Sequence, residues 1–197
     1  MPRLYKLRIS IEPQAMIGVV ILMLTIPIHW LSAWLIAAAV HELFHCVGVY
    51  LCGGRIYNIR IGLHGAKIET SSLSRGKEIL CLLLGPLGSL SLLTLSSHYP
   101  RLSVCAALQS AYNLLPLPNL DGGQALHRIL QILFPAPYSQ KICKIIQYVT
   151  MTAIIMLCFY CSVQWKMGIL PILLAVIFLM RYGQIKIPCK HGHYRVQ

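Results

Sequence analysis

The sequence predicts an all-α polytopic membrane protein of about six transmembrane helices, with a small interfacial β-hairpin after the second helix. Three observations carry that prediction. Hydrophobic residues make up 57% of the 197 residues and charged residues only 11%, the balance of a multi-span membrane protein rather than of a soluble domain. The apolar residues fall in long runs, separated by short polar stretches. All but two of the 17 Lys and Arg, Arg101 and Lys166, fall into alternate connections between those runs. The net charge of +12 is therefore a topology signal, and nucleic acid is not an expected partner. Residues 1–197 read as one integral-membrane domain, with no separate soluble domain and no cleavable leader at the N-terminus.

Residues 1–12 are polar and basic, with Arg3, Lys6 and Arg8. The run 14–53 is almost uncharged and is long enough for two spans, since one span needs about 20 residues. Pro27-Ile28-His29-Trp30 breaks it, because proline interrupts a helix and His and Trp suit the membrane interface. Helix 1 is then about 14–28 and helix 2 about 31–52, ended by Gly53-Gly54. Residues 55–70 alternate with period two around His64-Gly65 and read as a β-hairpin, whose open edge can receive an extended peptide as an added strand. Helix 3, about 77–97, contains Gly85-Pro86-Leu87-Gly88, small residues that permit close helix contact. Helix 4, about 103–117, runs into Pro116-Leu117-Pro118-Asn119-Leu120-Asp121-Gly122-Gly123. Irregular backbone at membrane depth is tolerated only against protein or a wet cavity, so 113–123 is a candidate site wall that includes Asn113, Pro116 and Gly122. Residues 125–134 form a short amphipathic interfacial helix. Helix 5 is about 143–163 and helix 6 about 167–182, and the tail 183–197 is basic.

The charge count tests the six-helix layout. Lys and Arg cluster before helix 1, between helices 2 and 3, between helices 4 and 5, and after helix 6. The positive-inside rule then places the protein in the cell membrane as a multi-pass chain with both termini in the cytoplasm. His41, His45 and Asp121 fall toward the cytoplasmic half.

The chemistry centres on His41-Glu42-Leu43-Phe44-His45, an H-E-x-x-H set inside helix 2. Residues i and i+4 of a helix share a face roughly 6 Å apart, so His41 and His45 can hold one zinc ion, with Glu42 beside them as a proton acceptor. A charged residue at membrane depth costs roughly 3 kcal/mol on insertion scales, which marks Glu42 as functional. Catalytic zinc usually takes three protein ligands. Candidates for the third are Asp121, Glu69, Glu78, another histidine or a cysteine, and Asp121 is the one attached to a helix-terminating, membrane-level turn. His29, His64, His98 and His127 look interfacial or loop-like. Cys189-Lys190-His191-Gly192-His193 reads as a solvated basic tail, and the eight cysteines read as small hydrophobes in a bundle.

Asn113-Leu-Leu-Pro116-Leu-Pro118-Asn119-Leu120-Asp121-Gly122-Gly123, following His41-Glu42-x-x-His45 on an earlier helix, resembles the site-2 protease family of intramembrane zinc metalloproteases. The six-helix layout is similar to the compact sporulation branch, typified by stage IV sporulation protein FB. The resemblance covers about residues 14–135. It implies one zinc ion held by His41, His45 and Asp121, Glu42 as catalytic acid/base, Asn113 facing the site, and Gly85-Pro86 as the small-residue element of the third span. It also implies a membrane-tethered protein substrate cleaved near the cytoplasmic face, with a sporulation-related role and a membrane regulator. Members of that branch often carry a nucleotide-sensing domain, and the basic tail of this sequence departs from that pattern. A competing class is a non-catalytic membrane chaperone or pseudoprotease, against which the intact Glu42 argues. A metal transporter is a third, against which the lack of acidic or histidine residues on other spans argues.

Overall fold

The computed structural model describes residues 8–62, 65–164 and 195–196. The first helix, α1, runs Pro13–Thr25 and ends where Pro27 interrupts the apolar run. Pro27 then caps α2, Ile28–Leu51. Proline lacks the amide that an interior helical position must donate, so it suits this boundary. Gly53, at φ +74, closes α2 in the left-handed conformation that glycine adopts freely. Beyond it come strands β2, Ile56–Gly62, and β3, Gly65–Thr70, then α3, Arg75–Ser91, with a 3-10 turn to Leu95. Helices α4, Pro100–Asn113, α5, Asp121–Leu133, and α6, Ala136–Gln164, complete the bundle.

Among the described residues, three helices are long and apolar enough to cross a membrane: Ile28–Leu51, Arg75–Leu95 and Ala136–Gln164. Helices α1 and α4, at 13 and 14 residues, fall short of the roughly 20 that a straight span needs. The expected helix over 167–182, the cluster 189–193 and most of the basic tail lie outside the described residues. The broad faces of α1 and α6 expose Met16, Ile17, Val20, Leu24, Val149, Met156 and Phe159. Apolar surface of that extent is what lipid, not water, would cover.

The expected hairpin is present but is not free-standing. Strand β1, Arg8–Ile11, pairs parallel with β2, and β4, Arg195–Val196, pairs antiparallel with β3, giving the order β1-β2-β3-β4. Residues 8–11, read as part of a polar N-terminus, are a strand because Ile9 and Ile11 continue the period-two pattern of Ile59 and Ile61 beside them. The hairpin edge expected to be open is covered in part: β1 pairs along β2, and β4 pairs with β3 at Ile68 and Glu69. Inside the bundle, Ile68 and Leu82 pack with Ala125, while Ala33 and Ala37 of α2 meet Cys105 and Ala106 of α4.

Close approach of α2 and α3 depends on small residues. A Cβ on Gly85 would collide with the His45 ring, and one on Gly88 would collide with Phe44. Pro86 sits buried inside α3, and its carbonyl accepts a hydrogen bond from Ser110 Oγ of α4 at 2.9 Å. That bond ties α4 to the same frame.

Candidate metal centre

Helix α2 places His41 and His45 one turn apart, both buried against α3. Their outer ring nitrogens are held by α3. His45 Nδ1 donates to the carbonyl oxygen of Cys81 at 2.8 Å. His41 Nδ1 meets Ser89 Oγ at 3.1 Å, and that hydroxyl in turn donates to the Gly85 carbonyl at 3.4 Å. With both Nδ1 atoms engaged, both Nε2 atoms point to one spot, 3.2 Å apart. Asp121 Oδ2 stands 3.0 Å from His41 Nε2 and 3.2 Å from His45 Nε2.

Asp121 reaches this spot from a turn. Asn119 takes φ 67, a left-handed conformation that asparagine tolerates. The chain then folds back so tightly that a Cβ on Gly122 would strike the Leu114 carbonyl, and one on Gly123 the Leu117 carbonyl. The two glycines supply space, and α5 begins at Asp121 with its carboxylate buried. A carboxylate buried between two imidazoles is costly unless positive charge lies at that point, as protons or as a cation.

Two atoms remain unpartnered there. Asp121 Oδ1 and Glu42 Oε2 are buried with no hydrogen-bond partner among the described residues. Two imidazole nitrogens and a carboxylate oxygen, all within 4.8 Å of one another, are able to hold a metal ion, and this donor set suits zinc. The other carboxylate oxygen of Glu42, Oε1, accepts a hydrogen bond from the Ala66 amide at the start of β3, at 3.1 Å. Asn113 Nδ2, at the end of α4, lies 3.3 Å from His41 Nε2.

The structure thus brings His41, His45, Asp121, Glu42 and Asn113 together. Pro116 lies in the turn and makes none of the hydrogen bonds of the group, and Gly122 faces the Leu114 carbonyl instead. The two alternative carboxylates are paired elsewhere: Glu69 with Arg60 at 3.2 Å and Glu78 with Arg128 at 2.9 Å. Ser89, the Cys81 carbonyl and the Ala66 amide went unnoticed in the sequence. For Ser89 a signal existed, since it stands one turn beyond Gly85 and two beyond Cys81 on the small-residue face of α3.

Among solved structures, the site-2 protease from Methanocaldococcus jannaschii is similar over 98% of this chain and 98% of its own, with a TM-score of 0.60 at 19% identity. This chain has a site-2 protease fold. No family model and no curated protein matches the sequence. Among the described residues, the buried His-His-Asp group is able to hold a metal ion.

Proposed function

We propose that this protein is an intramembrane zinc metalloendopeptidase that cleaves a membrane-tethered protein near the cytoplasmic face. The observation that carries the reading is the convergence of His41 Nε2, His45 Nε2 and Asp121 Oδ2 on one buried point, with the unpartnered Glu42 Oε2 on the same helix. In this reading His41, His45 and Asp121 hold one zinc ion. Bound zinc polarises a carbonyl and lowers the pKa of water to about 7. Glu42 takes the proton of the attacking water on Oε2 and returns it to the leaving amine, while the Ala66 amide fixes Oε1. Asn113, its amide beside His41, hydrogen-bonds the substrate once His41 is committed to the metal. The packed small residues of α3 keep bulk water from the group.

The proposed multi-pass topology has both termini in the cytoplasm. The distribution of Lys and Arg supports it, and so does the sheet. Strand β1, the hairpin after α2 and strand β4 are hydrogen-bonded in one sheet, which supports placing all three on one side of the bilayer. A sporulation-related role, and control by a membrane regulator, extend this reading from the motif layout.

The test uses the full chain, purified and reconstituted with candidate membrane-tethered substrates. Wild type and Glu42→Gln both carry one zinc per chain, and wild type alone cleaves. Cleavage by Glu42→Gln at the wild-type rate overturns the mechanism. Wild type that binds zinc yet cleaves nothing fits the pseudoprotease class instead.

A further inference from the structure

Glu78 stands on the first turn of α3, only 5% exposed, and takes no part in the His-His-Asp group. A buried carboxylate is costly unless paired. Its pair is Arg128 of α5, whose Nε lies 2.9 Å from Oε2 as an ion contact, neither carboxylate oxygen having a hydrogen-bond partner among the described residues. Three residues before Glu78, Arg75 Nη1 donates to the carbonyl oxygen of Gln131 at 2.9 Å. That carbonyl belongs to the last turn of α5, where helix carbonyls lack partners of their own. The start of α3 therefore grips the far half of α5 at two points.

Helix α5 is also the helix that begins with Asp121. Arg128 lies seven residues on, close to two full turns, so it shares a face with Asp121 and acts about 10 Å along the axis from it. The same α3 orients both imidazoles, through the Cys81 carbonyl and Ser89 Oγ. One helix thus fixes the histidines directly and reaches the aspartate through the ion pair.

We infer that Glu78 and Arg128 are positioning residues for the metal centre: their ion pair sets the rotation and axial position of α5 on α3, and with them where Asp121 stands relative to His41 and His45. The inference depends on the proposed metal reading of that group. The glycines fix the near end of α5 and Ala125 packs its middle against Ile68 and Leu82, while the ion pair and the Arg75 bond are the polar ties on its far half.

The experiment measures zinc affinity of the purified full chain by competition with a chromophoric chelator, alongside thermal unfolding of the metal-free protein. Glu78→Gln and Arg128→Gln each weaken zinc by about tenfold, the low end of the 10–100-fold range for groups bonded directly to ligands, because they act through the placement of α5. The charge swap, Glu78→Arg with Arg128→Glu, restores most of that affinity. Arg60→Gln, which breaks the exposed pair with Glu69, changes it by less than about twofold. Wild type with no zinc affinity overturns the metal reading itself. Wild type that binds zinc, with both single variants binding it equally well, overturns this inference alone. If the single variants do not fold, the swap decides: a folded swap with near wild-type affinity supports the inference, whereas a swap that stays weak or does not fold overturns it.

Discussion

His41 and His45 stand on one turn of one helix, whereas Asp121 arrives from a turn 76 residues beyond His45. The histidine half of the group is local. Helical periodicity alone puts both rings on one face, and α3 has only to orient them. The aspartate half is tertiary. It needs a left-handed Asn119, two glycines pressed against the carbonyls of Leu114 and Leu117, and α5 docked on α3 through Arg128. A disturbance of comparable size should therefore damage the second half more than the first.

The largest expected effect is on the aspartate itself. Asp121→Asn keeps the shape but removes the anion, and zinc affinity should fall by more than roughly 100-fold, beyond what loss of an outer partner costs. Chelator competition reads it directly. Next come the glycines. Gly123→Ala drives a methyl into backbone, which cannot yield as a side-chain tip can, and should cost about 3 kcal/mol in unfolding while weakening zinc. Gly48→Ala, between α2 and α3, meets chiefly the end of the Leu84 side chain and should cost about 1 kcal/mol or less. Equal losses from the two substitutions would erase the distinction between the halves. Ser89→Ala removes the partner of His41 Nδ1 and should weaken zinc roughly 10-fold, at the low end of the usual range because His45 keeps its backbone carbonyl.

The same contrast explains what could be read from the sequence. The helix breaks at Pro27 and Gly53, the paired histidines and the period-two hairpin are all local signals, and the structure has each of them. Residues 8–11 were missed as a strand because four residues beside a basic terminus carry too little pattern. Their pairing with β2 comes from residues about 50 positions away. The partial cover of the hairpin edge at Ile68 and Glu69 is hidden for the same reason, since β4 lies more than 120 residues further along the chain. Gly122 and Gly123 stand out in the sequence only as part of the candidate site wall. What they supply is space, which only the fold-back of the turn reveals. The partners of Glu69 and Glu78 were equally invisible, because Arg60 and Arg128 reach them through the sheet and through helix packing.

The most direct test of the proposed centre is the zinc content of purified Asp121→Asn beside wild type, measured after dialysis against a buffered free-zinc concentration near the wild-type Kd. Wild type should hold zinc at about half occupancy there, and Asp121→Asn should hold almost none. Equal occupancy in the two proteins would contradict the centre proposed from His41, His45 and Asp121 and would place the third ligand elsewhere.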